Sequence, residues 1–356
     1  MRMMLKTHNH YIPRLYLKRW AGIDSKVWVY RALVSHTNVP LWKRPSIDGI
    51  GYHQNLYTRV LGGAETDEFE EWLAREIETP AEGPIAKATA DERLTGDDWE
   101  CLIRFLAAQD FRTPARMMEF LARQAKELPG AIEQVLQNAV SEFTEAKRTG
   151  RKLERPSSDI AAGFPSRVTT EIEPAAEMGT LRVEAVVGRS LWLWSLKRLL
   201  SQTYQVLRAH KWTLVQPPVG MNWVTSDNPV VKLNYYADGT YDFKGRWGRI
   251  DGEILMPLGP RHLLCTRIGA RAPWLKGERV PESLALTLQG FTIENAHRYV
   301  YAAEAVPLVE RIRPRVVNAA QFQSETDQWR RWGSEQSDAE RDLNNPPPIR
   351  PATSPG

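Results

Sequence analysis

The sequence predicts an α+β protein in which a helical N-terminal half packs against a mainly antiparallel sheet formed by the C-terminal half. Three observations predict it. Apolar residues recur at helical spacing from about residue 67 to residue 147, and the period shortens to two beyond residue 210. Asp238-Gly239 then stands between two of the later apolar runs as a tight hairpin turn. At 356 residues, 42% apolar and 25% charged, the chain is long and balanced enough to bury a sizeable core.

Before the helices, residues 10–60 read as an irregular, strand-bearing opening, with Lys26-Val-Trp-Val-Tyr-Arg31 as a short strand and Ile47-Asp-Gly-Ile-Gly51 as its break. Asp67 caps the first helix, with Glu70 completing a capping box and Phe69, Trp72, Leu73 and Ile77 forming its stripe. Thr95 opens a second helix, which buries Leu102, Ile103 and Leu106. Pro114 lacks an N–H and crowds the preceding turn, so a kink or restart falls there, and Met117, Met118 and Leu121 carry the helix on. A third helix spans about Ala131 to Lys147. Residues 149–167 read as a loop, and a further helix covers roughly 183–208. Strands follow at Lys211–Gln216, Trp223–Ser226, Val230–Asn234, Glu253–Leu258 and His262–Ile268. A late helix runs from about Leu286 to Ala303, and from Ser334 the polar, proline-ended tail reads as disordered.

Several chemistries lose their usual signatures. There is no phosphate-binding GxxxxGK[ST] loop, no GxGxxG after a strand, no GxSxG elbow and no HExxH pair. Cys101 and Cys265 are the only two cysteines, which excludes a disulfide framework and a thiolate zinc site. Met1 to Met4 is followed at once by Lys6, His8 and His10, with no apolar stretch of a secretory signal, and a cytoplasmic location is expected. Charge is uneven. Residues 1–60 hold ten Lys/Arg against two Asp/Glu, a balance of +8, and residues 61–110 hold four against fourteen, a balance of −10. The basic opening fits either a polyanion-binding face or a segment neutralised by its acidic neighbour. Its cations also alternate with rings (Tyr16, Lys18, Arg19, Trp20, Trp28, Tyr30, Arg31), a pattern that suits stacking on bases.

Three polar constellations stand out. His8 and His10 point the same way on an extended chain, a spacing that permits metal binding or paired acid–base work. Arg112 and Arg116 lie four apart beside Pro114, a fork suited to phosphate or carboxylate. Thr225-Ser226-Asp227-Asn228-Pro229 follows an apolar strand, where a sheet rim presents polar groups or simply turns the chain.

In order and spacing these blocks resemble the bacterial domain of unknown function family numbered 4238. Its His-x-x-Pro-x-x-Tyr-Leu block corresponds to His10, Pro13, Tyr16 and Leu17, its Arg-x-Pro helix to Arg112 and Pro114, and its Ser-Asp-x-Pro strand end to Ser226, Asp227 and Pro229. Asn55, Tyr57 and the acidic Glu70 to Glu78 helix match more loosely. The likeness runs over roughly residues 8 to 303 and carries no established activity. It implies one continuous domain, here 1–315, with 149–167 as an excursion; composition sets 334–356 apart as a disordered tail.

The expectation is a phosphate-directed hydrolase acting on nucleic acid or nucleotides. His10, Arg112 and Asp227 form its catalytic cluster. His10 acts as general acid or base, Arg112 stabilises developing charge, and Asp227 orients the histidine or holds a divalent metal. Arg14, Tyr16, Tyr57, Arg116, Ser226 and Asn228 are expected to bind substrate. The alternative is a non-catalytic module binding nucleic acid or protein, in which the polar cluster only fixes the fold.

Overall fold

A computed structural model describes residues 5–152, 163–172, 179–271 and 274–344. Its first sixty residues are built from short strands. His8–His10 pairs antiparallel with Tyr52–Gln54, and Trp28–Arg31 lies between Trp42–Lys43 and Tyr299–Ala302. With Thr225–Ser226 beyond Tyr299–Ala302, these make a four-stranded antiparallel sheet drawn from both ends of the chain. The second large sheet has six strands, in the order Tyr241–Asp242, Val231–Tyr235, Glu253–Gly259, His262–Arg267, Trp212–Gln216 and Glu278–Arg279. Three further two-stranded pairs complete the set among the described residues.

This corrects the expected architecture. There is no helical N-terminal half, and the strands are not confined to the C-terminal one. The architecture is mixed, with several small sheets, and its longest helices are Pro114–Thr149 and Ala319–Asn344. The opening strands are two to four residues long, too short for a period to show, and what fixes them is pairing with residues far along the chain.

Local chemistry explains the helix ends. Thr95 caps Gly96–Phe111 with a full capping box: its hydroxyl accepts the Asp98 N–H at 3.2 Å, and the Asp98 carboxylate accepts the Thr95 N–H at 2.8 Å. No such box forms at Asp67, whose carboxylate accepts the Lys6 N–H instead. Pro114 occupies the first turn of the next helix, where a missing N–H costs nothing, so the chain restarts there. That helix runs unbroken for 36 residues and absorbs the separate one expected from Ala131; Val135, Val140 and Phe143 on its far half stay exposed. The late helix stops at Glu294, and Tyr299–Ala302 is a central strand, as its Tyr-Val-Tyr composition favours. Strand Gly179–Ala185 precedes helix Arg189–Arg198 within the stretch read as one helix.

The tail is corrected as well. Residues 334–344 continue the helix Ala319–Asn344, and Glu340 is 4% exposed. Its carboxylate receives Arg189 through Nη2 at 2.7 Å and Nε at 3.1 Å, the Val60 N–H at 2.8 Å and the Ser190 hydroxyl at 2.7 Å. Arg189 also reaches Ser337 and the Asn55 carbonyl. Residues 345–356 and most of the 149–167 excursion (153–162) lie outside the described residues. No helix among the described residues is long and apolar enough to cross a membrane.

Candidate functional site

Strand His8–His10, the short helix Arg14–Leu17 and the acidic helix surround a cleft of about 460 Å³, lined among others by His10, Arg14, Lys18, Asp48, Glu70 and Glu78. Gly51 sets the turn out of His10. Its carbonyl accepts the N–H groups of both Tyr11 and Ile12, at 2.9 and 3.1 Å, and its φ is +67°. A Cβ there would meet Ile12 at 3.3 Å, so glycine fits the position on two counts. Pro13 then holds an extended backbone at the helix start.

Glu70 and Glu78 come from one continuous helical rod. Eight residues apart in a regular α-helix they would diverge by about 80° around the axis. The segment Ala74–Glu78 is a π turn, which takes up that excess and brings both carboxylates toward the cleft.

Arg112 is the centre of the polar structure behind the cleft. It is fully buried, with Nη1 on the Glu78 carboxylate at 2.6 Å, Nε on the Tyr57 hydroxyl at 3.2 Å, and Nη2 on the His10 carbonyl. Burial alone would favour the neutral guanidine, but Tyr57, Glu78 and Glu70 together outweigh it and hold the charge more firmly than usual. Burial likewise raises the Tyr57 hydroxyl above its ordinary range.

Two groups in the cleft lack partners. One oxygen of Glu70 is buried with no hydrogen bond, and so is Nε2 of His10. Burial pushes the Glu70 carboxyl up to about 7; the neighbouring charge of Arg112 opposes the shift and Glu78 adds to it. Burial pushes the His10 imidazole down, helped by Arg14 and Arg112. Near pH 6.5 to 7 the carboxyl is therefore still partly protonated while the imidazole is mainly neutral.

The structure divides the expected catalytic cluster. His10 lines the cleft, and Arg112 stands behind it with every nitrogen engaged inward. Asp227 is elsewhere. Its two oxygens accept the His297 N–H at 2.8 Å and the Arg298 N–H at 2.7 Å, and its own N–H donates to the Tyr299 carbonyl. It neither orients His10 nor presents a free oxygen to a metal, and among the described residues no three His, Cys, Asp or Glu side chains converge as metal ligands. Burial raises its carboxyl, with His297 opposing. Asp227→Ala should orphan two part-buried N–H groups at a cost on the order of 1 to 3 kcal/mol each, read as a drop of several degrees in thermal midpoint. An unchanged midpoint would refute this structural role.

Of the expected binding residues, only Arg14 lines the cleft. Tyr57 supports Arg112 from behind. Tyr16 is buried, donating to the Pro257 carbonyl at 2.6 Å and sharing a 2.7 Å hydrogen bond with Thr225. Arg116 pairs with Glu119 at 2.9 Å and Asp110 at 3.3 Å, so it forms no fork with Arg112. Ser226 accepts the Asn228 N–H, and Asn228 accepts the Thr113 hydroxyl and donates to the Asn295 carbonyl. These five lie outside the cleft and bond within the protein. The family blocks do meet, but through this internal seam: Tyr16 to Thr225, Arg112 to His10, Thr113 to Asn228.

Several cations of the basic opening are paired, though two of the pairs use Asp24 and Asp48 of the opening itself and leave its excess of positive charge in place. Arg14 pairs with Asp48 at 2.8 Å, Lys18 with Glu82 at 2.5 Å and Arg44 with Asp24 at 2.9 Å. Glu70 and Glu78 are the residues missed as site members. A signal existed: Glu70 shares a helical face with Leu73 and Ile77, both buried, so its carboxylate had to enter the interior.

A family model described as protein of unknown function (DUF4238) matches residues 8–305. No curated protein and no solved structure matches the chain.

Proposed function

The chain belongs to the DUF4238 family of proteins of unknown function, and from that premise and the geometry of the cleft we propose a hydrolase that uses Glu70 as general acid and His10 as general base. One observation carries the reading: His10 and Glu70 line the same cleft, each has one buried polar atom without a hydrogen-bond partner, and their surroundings push their titrations in opposite directions. The neutral His10 imidazole takes a proton from water as it attacks. Protonated Glu70 supplies a proton to the departing oxygen as its bond to the substrate breaks. Water is the only co-reactant.

A phosphoester is the substrate class favoured here, as part of a nucleotide or nucleic acid. Arg14 and Lys18 stand on the lip, held only by exposed carboxylates. Such exposed pairs contribute about 0 to 1 kcal/mol, so both cations exchange readily onto an anionic substrate. Arg112 stands behind them with its charge paired to Glu78.

The test is a pH–rate profile on a chromogenic phosphodiester. The rate should rise as His10 loses its proton below pH 6.5 and fall as Glu70 loses its proton near pH 7. Glu70→Gln, which keeps the shape and cannot donate the proton, should lower the rate about a hundredfold or more. A profile whose alkaline limb survives Glu70→Gln would defeat the assignment.

A further inference from the structure

A second group of exposed cations lies on another surface. Strand Val231–Tyr235 turns back as Tyr241–Asp242, and the loop that follows carries Lys244, Arg246 and Arg249 around a cleft of about 700 Å³. All three are exposed, and among the described residues none is paired with a carboxylate side chain. Asp242 is the one acidic residue lining the cleft, so three cations against one carboxylate leave two positive charges.

The loop is firmly held. Trp247 is buried between the cations, its indole N–H on Asp110 at 2.8 Å, and Gly245 presses so close to the strand that a Cβ would lie 2.8 Å from the Lys232 backbone. Asp242 accepts the Lys244 N–H at 2.9 Å, the Tyr236 hydroxyl at 2.7 Å and the Asn234 amide at 2.8 Å. That last bond fixes the Asn234 amide with its NH₂ toward Asp242, since the reverse would set oxygen against oxygen. Its carbonyl oxygen is left buried without a donor, on a residue 1% exposed that lines the cleft. A buried acceptor of this kind needs an N–H or O–H.

We propose that this cleft binds a phosphorylated small molecule, its phosphate among Lys244, Arg246 and Arg249 and a neighbouring hydroxyl or N–H on Asn234 Oδ1. The volume falls within the range of ordinary ligand sites, and guanidinium groups match the phosphate oxygens in geometry as well as charge. The inference is independent of the His10–Glu70 cleft.

Isothermal titration of the full chain with ribose 5-phosphate, adenosine 5′-monophosphate, inorganic phosphate and unphosphorylated adenosine tests it. The two phosphorylated organic ligands should bind saturably, inorganic phosphate more weakly, and adenosine not at all. Arg246→Glu with Arg249→Glu should weaken binding at least about tenfold while leaving the thermal midpoint in place, since both side chains are exposed. His10→Ala should leave binding unchanged, which separates failure here from failure of the hydrolase reading. Binding indifferent to the double variant, or no saturable binding of either organic phosphate, overturns the proposal. A single-stranded oligonucleotide that binds at least about tenfold tighter than the monophosphate, with a steep salt dependence, also overturns it and makes the surface a nucleic-acid track.

Discussion

Glu340→Ala should cost on the order of 3 to 5 kcal/mol of unfolding free energy, because it strands the Arg189 guanidinium inside the protein without its counter-charge. Arg189 is fully buried and Glu340 almost so, and the carboxylate they share also satisfies the Val60 N–H and the Ser190 hydroxyl. Four donor groups, two of them on Arg189, therefore lose the same carboxylate together. Truncation after Gly333 should cost at least as much, since it removes Gln336 and Ser337 with Glu340. Chemical denaturation of the three proteins measures it. Replacing both partners by apolar residues of similar size, Arg189→Met with Glu340→Leu, should recover much of the loss, because the penalty lies in the unpaired charge. Stability indifferent to Glu340→Ala would mean that the helix end does not dock.

The second large loss is expected for Arg112→Ala, again about 3 to 5 kcal/mol. It removes the donor to Glu78, Tyr57 and the His10 carbonyl at once and leaves a void in a packed interior. Arg112→Lys should restore only part, since one ammonium cannot serve three acceptors that a planar fork reaches in different directions. The electrostatic readout is separate from stability. Arg112 holds the Glu70 carboxyl down against burial, so in folded Arg112→Ala that carboxyl should titrate above its parent value of about 7, as followed by carboxyl-carbon NMR. A residue that met substrate directly would leave the midpoint unchanged and lose activity alone.

What could be read from the residues depended on how local the cause was. The Thr95 capping box and the Pro114 restart were legible because their causes lie within a few residues. His10 and Arg14 were legible as cleft residues because a histidine beside a proline-fixed turn is conspicuous. Glu70 was hidden by ambiguity. An acidic residue in a first helical turn already has an explanation, and only burial shows that its carboxyl points inward. Asp227 misled for the converse reason. An aspartate at a strand end looks available, while both its oxygens serve backbone N–H groups seventy residues on. The last helix escaped because its anchors are polar. Ser337 and Glu340 are buried through hydrogen bonds and charge, which no apolar period records.

Strand Trp28–Arg31 has consequences for how the molecule is made. Its neighbour Tyr299–Ala302 is synthesised some 270 residues later, and the Val60 N–H waits for Glu340 at the end of the described chain. During translation the opening therefore emerges with an unpaired edge and cannot close until nearly the whole polypeptide exists. Such non-local pairing slows folding and prolongs exposure of apolar strand surface. Newly made chains interrupted before about residue 300 should be the ones that chaperones retain and proteases clear, whichever chemistry the finished cleft performs.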